Sequence, residues 1–364
     1  MMNAISIVVL IFALFGALDR IFGNKFGLGQ EFEKGFMLFG IMMLTMTGMI
    51  TLAPGIAELM RPLSQFLSEV VGLDASIIPA VILANDMGGA PLALEMASDA
   101  TIGGYNAFVV ASMMGCTVSF TIPFALGMVK KEQLGDVFLG LLCGIVTIPV
   151  GCLVSGIVCG INILELLFNL LPLILFSAII AVGIIFAPNA CVKIFSVLGA
   201  VITGIITVGL ALGIFTFLTG LKPIPALAPI EEGTAVCLNA AIVLAGAFPF
   251  MALLARILRN PLKKIGKRAG MNEMSAVGLL SSFVTCSTVY GFMDKMDRKG
   301  VLLNAAFSVS GSFVFGSHLA YTMANDDAFV VPMIVGKVIS GISAVIVAAI
   351  VFSRQANNPK NKNT

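Results

Sequence analysis

The fold of this chain is indicated by an interruption in one apolar stretch, where residues 83–91 read Leu83-Ala84-Asn85-Asp86-Met87-Gly88-Gly89-Ala90-Pro91. The apolar stretch itself extends from residue 76 to residue 96, about the length of a membrane-spanning helix. A carboxylate, a glycine pair and a proline at membrane depth are tolerated only where the backbone is buried in protein or lines a wet cavity. The pattern therefore predicts a re-entrant hairpin that lines a polar cavity.

A second apolar stretch, residues 274–292, is interrupted in a similar way. It contains Ser281-Ser282 and the run Thr285-Cys286-Ser287-Thr288. We predict a second re-entrant hairpin here, because hydroxyl side chains in mid-membrane favour contact with protein or water over contact with lipid. The alternative is that both stretches cross the membrane completely.

The composition is that of a membrane protein. Of 364 residues, 59% are hydrophobic and 11% are charged, whereas a soluble domain carries roughly 25% charged residues. A mean hydropathy of +1.06 excludes soluble enzymes, nucleic-acid binders and secreted domains. The other predicted spans are residues 4–22, 35–53, 104–129, 135–160, 163–187, 190–218, 234–257, 300–323 and 328–352. We predict an all-α polytopic membrane protein with nine spans and two hairpins, the alternative being eleven full spans.

The distribution of lysine and arginine favours the hairpins. With two hairpins and a cytoplasmic C-terminus, 18 of these residues lie inside, against Arg61 and Lys222 outside. With eleven full spans the count becomes 11 inside and 9 outside. The sequence therefore predicts an N-terminus outside and a C-terminus in the cytoplasm.

An internal repeat divides the chain. Arg61-Pro62-Leu63 and Gly72-Leu73-Asp74 resemble Asn260-Pro261-Leu262 and Gly270-Met271-Asn272 at an offset of 198 to 199, and Asn106 matches Asn304. The predicted orientation inverts one half relative to the other, as in secondary transporters that bind substrate at broken helices near the midplane. The predicted divisions are 1–34 first helix and loop, 35–160 repeat 1, 161–233 connecting helices, 234–352 inverted repeat 2, and 353–364 cytoplasmic tail.

Asp86 is the strongest candidate for binding a substrate, because a carboxylate in mid-membrane is costly unless it is paired or wet. Asn85, Gly88 and Gly89 add hydrogen-bonding groups and allow close approach of the backbone. This combination favours a small cation. The alternative is that Asp86 only caps the half-helix that begins at Gly88 or Gly89.

Further candidate substrate contacts lie in the second half. Thr285, Ser287, Thr288 and Tyr290 offer hydroxyls to a substrate or a coupling ion, although packing between helices is an equal alternative. His318 is the single histidine and is either a proton carrier or a buried core residue.

Two other ionisable residues lie in predicted spans. Lys337 is expected to pair with Asp326 or Asp327 or to extend to the surface. Glu165, near a predicted helix start, is expected at the interface.

No catalytic or cofactor site is indicated. The seven cysteines lie singly, without the paired spacing of a zinc or redox site, and no phosphate-binding loop or histidine cluster occurs. We therefore expect no enzyme activity, no metal and no cofactor. A membrane-embedded enzyme and a cation/proton antiporter that uses Asp86 and His318 remain alternatives to a transporter of a small amine.

Ordered strings along residues 10 to 350 resemble the ethanolamine permease family of the ethanolamine-utilisation operon. The strings include Asp19-Arg20, Phe32-Glu33-Lys34-Gly35-Phe36-Met37, Leu83-Ala84-Asn85-Asp86-Met87-Gly88-Gly89, Ser112-Met113-Met114-Gly115, Met296-Asp297-Arg298, Gly316-Ser317-His318-Leu319 and Pro332-Met333-Ile334-Val335-Gly336-Lys337.

The resemblance implies a bacterial cytoplasmic-membrane protein that imports ethanolamine for catabolism. Ethanolamine is a small ammonium with a hydroxyl, which fits a buried carboxylate with amide and hydroxyl neighbours. Quaternary amines favour aromatic cages, and a chain with no tryptophan and only Tyr105, Tyr290 and Tyr321 favours a primary amine. The expected partners are ethanolamine and the lipid bilayer, with no nucleic acid. A coupling ion, proton or sodium, and a homo-oligomer are left open.

Overall fold

The computed structural model describes residues 4–268 and 270–356, which form helices joined by short turns. No β-strand occurs within these two ranges, and the predicted all-α class is confirmed. The α-helices are α1 Ala4–Ile21, α2 Leu28–Met42, α3 Gly48–Gln65, α4 Ile77–Ile82, α5 Gly89–Met96, α6 Ala100–Tyr105, α7 Ile122–Met128, α8 Leu134–Ile145, α9 Ile148–Val158, α10 Ile163–Asn169, α11 Leu171–Phe186, α12 Pro188–Thr219, α13 Ile230–Arg268, α14 Glu273–Ser282, α15 Cys286–Gly291, α16 Arg298–Ser310, α17 Ser317–Asn325 and α18 Val330–Ala356.

Seven helical stretches are long and apolar enough to cross a membrane, and α10 with α11, bent by 40°, can make an eighth. The seven are Ala4–Ile21, Leu28–Val71, Ala100–Met128, Lys131–Val158, Pro188–Thr219, Ile230–Leu258 and Asp327–Gln355. Large apolar side chains along α12, such as Ile194, Val201 and Val208, are exposed on the surface of the protein. Lipid accepts such a surface and water does not. The chain is a multi-pass membrane protein.

Two predicted spans are divided by breaks and are not among these seven stretches. Residues 163–187 form the bent pair α10 and α11, and residues 300–323 are divided between α16 and α17 by turns at 311–316. The second interruption escaped the sequence pattern because residues 311–316 are themselves small or apolar. The total of nine spans, which includes both interrupted stretches, stays a prediction.

The helix after α1 is longer than expected. α2 and α3 are joined by the π-helical segment Met43–Thr47 into a continuous helix over Leu28–Val71, whereas the predicted span covered 35–53. Pro54 and Pro62, residues that often end a helix, are accommodated within α3. The predicted division at 34/35 thus falls inside α2. At the other end, α18 continues to Ala356, and the rest of the predicted tail lies outside the described residues.

The first hairpin consists of α4 and α5, and its two ends are hydrogen-bonded together. The Asp74 carboxylate accepts from the backbone N–H of Ser76, Ser98 and Asp99 at 3.0, 2.9 and 3.0 Å. Asn106 donates to Ser76 Oγ at 2.8 Å. The ends of a helix that crossed the bilayer would be separated by about 30 Å. This segment therefore turns back on itself.

The second hairpin, α14 and α15, is closed in the same manner. The backbone N–H of Asn272 donates to Asp297 Oδ1 at 2.8 Å, and its side-chain amide donates to Lys295 O at 2.9 Å. Ser275 Oγ donates to Asp297 Oδ1 at 2.6 Å, while Asn304 donates to Ser275 O at 2.9 Å. Both ends of this segment again lie together.

The two hydrogen-bond networks use corresponding positions of the chain. Four members of the second network follow their counterparts in the first by 198 or 199 positions. The counterparts are Asp74 and Asn272, Ser76 and Ser275, Asp99 and Asp297, and Asn106 and Asn304. The sequence pattern contained only the first and last of these pairs.

Helices that correspond by this offset pack antiparallel. Along the helix of residues 28–71, Gly35 packs on Ala245, whereas Thr47 lies 3.6 Å from Cys237, so the partner number falls as the chain advances. Gly35 allows this approach because a Cβ there would lie 2.4 Å from the Ala245 nitrogen. α9 and α18 also pack antiparallel, since Gly151 packs on Ser340 and Ser155 Oγ donates to Pro332 O at 2.6 Å.

Loops that were predicted on the cytoplasmic side lie together. Lys130 Nζ is 3.0 Å from Asp294 Oδ2, and Arg298 Nε is 2.9 Å from Asp136 Oδ1. The hydrogen bond and the charge of Lys130 lower the pKa of Asp294 below its ordinary value. Eleven full spans would place Lys130 and Asp294 on opposite faces of the membrane, so that alternative is incompatible with these contacts.

Candidate functional site

A cavity of ≈ 270 Å³ lies where three interruptions of the helices meet. Drug-sized ligands occupy pockets of about 300–1,000 Å³, so this volume suits a smaller molecule. The polar residues of its lining are Thr45, Asp86, Cys116, Thr285, Ser317 and His318. Three aromatic residues, Phe120, Phe248 and Phe313, contribute to its apolar part. Both predicted hairpins therefore contribute to one cavity.

Asp86 is held in a 3₁₀ turn, Asn85–Met87, between α4 and α5. Its side chain is 15% exposed and faces the cavity. The helix α5 begins at Gly89, whose N–H donates to the carbonyl oxygen of Ala84 at 2.8 Å. The Asp86 carboxylate borders the cavity, and its role as a helix cap stays an alternative to substrate binding.

Gly88 and Gly89 set the course of the backbone after Asp86. Gly88 has φ +100°, a conformation that side-chain-bearing residues rarely adopt, and a Cβ there would lie 1.9 Å from Met49 Cγ. A Cβ on Gly89 would lie 2.2 Å from the carbonyl oxygen of Leu83. Both glycines allow the turn to pack closely, and neither lines the small cavity, so their predicted contact with substrate stays a prediction.

The irregular backbone at the interruptions finds hydrogen-bond partners within the protein. The N–H of Ala84 donates to Ser119 Oγ at 3.0 Å. The N–H groups of Phe313 and Phe315 donate to the carbonyl oxygens of Ser282 and Phe283 at 3.1 and 2.9 Å. Non-helical backbone at membrane depth requires such partners. The interruptions are therefore defined parts of the fold.

Asn85 does not line the cavity. Its side chain is fully buried, and neither its amide nitrogen nor its carbonyl oxygen has a hydrogen-bond partner in the described structure. The predicted contact of Asn85 with substrate would require a rearrangement of the turn and stays a prediction.

The second hairpin contributes one of its four candidates to the cavity. Thr285 lines it, and its hydroxyl also accepts from the N–H of Ser287 at 3.2 Å. Thr288 is exposed to a larger adjoining cavity. Ser287 and Tyr290 do not line the small cavity, and the Tyr290 hydroxyl is hydrogen-bonded to Ser308 Oγ at 2.6 Å. Thr285 is therefore the hydroxyl of this hairpin best placed for a ligand.

His318 lies at the start of α17 beside Asp86. Its Nε2 is 3.7 Å from Asp86 Oδ1, and its ring packs against Phe313 with centroids 5.0 Å apart. The preceding residue, Ser317, also approaches the Asp86 carboxylate. Sequence reasoning identified His318, whereas it missed Ser317.

Lys337 contacts different residues from those predicted from the sequence. Its side chain is 1% exposed, and its Nζ lies 3.1 Å from His318 Nδ1 and donates to Ser112 O at 2.6 Å. The expectation that Lys337 pairs with Asp326 or Asp327, or extends to the surface, is wrong. A lysine inside an apolar span was a signal, but its partner depends on how α18 packs against α17.

A larger cavity of ≈ 680 Å³ adjoins the small one. The two share Phe248, Val284 and Thr285. The wide part reaches the charged residues Glu31 and Lys34, on the face where the loops predicted to be cytoplasmic lie. The larger cavity therefore extends from the small one toward that face.

A family model described as "Ethanolamine utilisation protein, EutH" matches residues 1–351. The chain belongs to this family. A relative named "Probable ethanolamine permease EutH", from Listeria monocytogenes serotype 1/2a (strain 10403S), is 40% identical over 97% of this chain and 95% of its own length. Relatives with the same name from Escherichia coli (strain K12) and Salmonella typhimurium are 35% identical over 96% and 94% of this chain, and 95% and 94% of their own lengths. No solved structure matches the chain.

The lining of this EutH-family cavity combines one carboxylate with hydroxyl and imidazole side chains. Within residues 4–268 and 270–356, no group of three or more His, Cys, Asp or Glu side chains is arranged to hold a metal ion. Glu165 lines a separate surface pocket near Asn169. Asp86 is the one carboxylate among the described residues that line the small cavity, and its negative charge suits a small cation.

Proposed function

We propose that this protein is a permease that brings ethanolamine across the bacterial cytoplasmic membrane. The observation that carries the proposal is the small cavity that presents the carboxylate of Asp86 together with the hydroxyls of Thr285 and Ser317. The names of the relatives, as probable ethanolamine permeases, agree with this chemistry.

The ammonium group of ethanolamine is proposed to bind at Asp86. A cation removed from water in a low-dielectric site is costly unless it is paired and hydrogen-bonded, and an ammonium offers three donors in charge-assisted hydrogen bonds. The carboxylate is 15% exposed, so it is accessible from the cavity. A primary amine can approach it closely.

The hydroxyl of ethanolamine is proposed to bind to Thr285 or Ser317. Both residues line the same cavity as Asp86. A hydroxyl both donates and accepts a hydrogen bond, so either side chain can serve it. Thr285 belongs to the second hairpin and Asp86 to the first, so a ligand that contacts both would connect the two hairpins.

We further propose that the two halves of the chain form an inverted repeat that exposes the cavity alternately to the two sides. Hydrogen-bond networks at an offset of 198 to 199 support the repeat, and the antiparallel packing of corresponding helices supports the inversion. Transporters built in this way rock one half against the other around a fixed site. The predicted orientation, with the C-terminus in the cytoplasm, makes the conformation described here inward-facing.

Uptake of labelled ethanolamine by liposomes that contain the purified protein tests the proposal. We expect uptake above that of empty liposomes and a loss of most of it in Asp86→Asn. Glu165→Gln is the matched control, because it also removes one carboxylate but changes an exposed residue outside the small cavity. Unchanged uptake in a folded Asp86→Asn protein would refute the role of Asp86. Absence of uptake by the wild type, with ethanolamine consumed instead, would favour a membrane-embedded enzyme.

A further inference from the structure

Three ionisable side chains from separate parts of the chain form a line that leads inward from the small cavity. Asp86 Oδ1 is 3.7 Å from His318 Nε2, and His318 Nδ1 is 3.1 Å from Lys337 Nζ. Asp86 borders the cavity, whereas His318 and Lys337 are each 1% exposed. The imidazole therefore separates the buried amine from the cavity, and each of its nitrogens faces one of the other two groups.

The starting state of this line is taken as one with a protonated Lys337. A lysine ammonium has three donors and no acceptor, so in that state His318 Nδ1 accepts from Lys337. A neutral imidazole that accepts at Nδ1 carries its proton on Nε2, the atom that faces Asp86. The empty site then holds one negative charge, on Asp86, and one positive charge, on Lys337.

A substrate ammonium would add a second positive charge opposite a single carboxylate. The other ionisable groups near enough to interact electrostatically with Asp86 or Lys337 are the thiols of Cys116, Cys152 and Cys286 and the phenol of Tyr321. Within the described residues, no second carboxylate is found among these neighbours. A buried charge without a partner is strongly destabilising. The net charge of the site stays at zero if one proton leaves when the substrate binds.

We propose that binding of the substrate ammonium at Asp86 releases the proton of Lys337 through His318, so that the protein exchanges one ammonium for one proton. This inference rests on the proposed function. Lys337 Nζ transfers a proton to His318 Nδ1, and His318 Nε2 transfers its own proton to water in the cavity. Lys337 becomes a neutral amine, the imidazole stays neutral with its proton now on Nδ1, and one proton has left the site.

The product state keeps every group hydrogen-bonded. The neutral amine of Lys337 accepts from His318 Nδ1–H and still donates to the carbonyl oxygen of Ser112, which lies 2.6 Å away. His318 Nε2 now presents a lone pair toward the cavity and accepts a hydrogen bond from the ammonium beside Asp86. The proton transfer therefore removes the positive charge of Lys337. It also changes His318 Nε2 from a hydrogen-bond donor into an acceptor for the substrate ammonium.

The exchange has an electrical consequence. One cation enters and one proton leaves in each cycle, so no net charge crosses the membrane. Lys337 takes up a proton from the cytoplasmic side after the substrate has departed, which resets the site. Without Lys337, each turnover would carry one positive charge inward.

Calorimetric titration of the purified protein with ethanolamine measures the proton directly. The titration is repeated in two buffers of different ionisation enthalpy at the same pH, and the difference in heat gives the protons released for each ligand bound. We expect about one proton for the wild type and for the surface control Lys131→Gln, and none for Lys337→Gln or Lys337→Met. Binding without proton release in the wild type would overturn the exchange, whereas absence of binding would contradict the proposed function itself.

Uptake into liposomes under an imposed membrane potential provides a second readout. We expect no accumulation of labelled ethanolamine by the wild type in response to an inside-negative potential. A Lys337→Gln protein that still transports should accumulate it about tenfold for each ~59 mV, as a single moving charge requires. Potential-driven accumulation by the wild type would overturn the exchange even if neither variant folds.

Discussion

Nε2 of His318 lies 3.7 Å from Oδ1 of Asp86, so the start of α17 meets the turn of the first hairpin. The interruption before α17 also meets the second hairpin, because a Cβ on Gly316 would lie 2.2 Å from the carbonyl oxygen of Val284. Three breaks in helical structure thus converge, and each of them contributes residues to the lining of the small cavity. A change in any one of them is expected to alter the cavity.

The first prediction concerns the hydroxyl of the substrate. Ethylamine keeps the ammonium of ethanolamine but lacks the hydroxyl, so a hydroxyl partner in the cavity would be left without a hydrogen bond. Such a loss costs about 1–3 kcal/mol, and we expect ethylamine to compete roughly 5- to 150-fold more weakly for uptake.

Variants identify the residue that contacts the hydroxyl. Thr285→Val or Ser317→Ala, whichever removes the contact, should reduce the difference between the two amines, while Thr288→Val in the larger cavity should leave it intact. Equal competition by ethylamine and ethanolamine in the wild type would mean that the hydroxyl is not recognised.

The second prediction concerns the donors on the substrate nitrogen. Choline has the same charge and hydroxyl as ethanolamine but no N–H group, so it cannot donate to Asp86. Charge-assisted hydrogen bonds contribute about 1.5–3 kcal/mol, so choline should compete at least tenfold more weakly than ethanolamine. Competition assays in liposomes measure this ratio, and a choline that competes as well as ethanolamine would show that charge alone is recognised.

The third prediction concerns the turn after Asp86. Gly88→Ala places a Cβ at φ +100° and against Met49, so it should destabilise the protein by about 1–3 kcal/mol. Gly127→Ala is the control, because a Cβ there meets no atom within 4 Å and Gly127 lies in the helix α7. Thermal unfolding of the detergent-solubilised proteins measures the difference. A Gly88→Ala protein as stable as the control would contradict the strained turn.

The fourth prediction concerns topology. Ser98→Cys and Lys295→Cys, in a cysteine-free background, place exposed thiols at the bases of the two hairpins without removing the Asp99 or Asp297 side chains. We expect an impermeant thiol reagent to label position 98 only from outside and position 295 only from inside. Labelling of both from one side would contradict the inverted orientation.

The sequence identified functional candidates where a polar or charged residue interrupts an apolar stretch. Asp86 stood out because a carboxylate in an apolar stretch requires a special environment, and the hairpin around it followed from the same argument. Which candidate side chains face the cavity was harder to predict. Ser287 and Tyr290 belong to the second hairpin, as predicted, but do not line the small cavity. Their direction depends on where α15 begins, which Thr285 determines by accepting from the Ser287 N–H.

Contacts between distant helices were beyond the sequence pattern. Lys337 was recognised as unusual, yet its neighbour His318 is brought to it by the packing of α17 and α18. The break at 311–316 was missed because the sequence there carries no charge or proline. Phe313 in this segment adopts φ +62°, a conformation that only the surrounding tertiary structure imposes.

The short helices of the hairpins have a consequence for biogenesis. α4 has 6 residues and α5 has 8, whereas insertion as an independent transmembrane segment takes about 20. Neither arm can partition into lipid alone, because the polar backbone at the turn would have no partner there. The first hairpin is therefore expected to enter the membrane late, after the translocon has released residues 100–128, whose Ser119 hydroxyl satisfies the N–H of Ala84. Because Ser317 and His318 also line the small cavity, the cavity is complete only once these residues have entered the membrane. A nascent chain arrested earlier would be anchored in the bilayer but would lack the complete cavity.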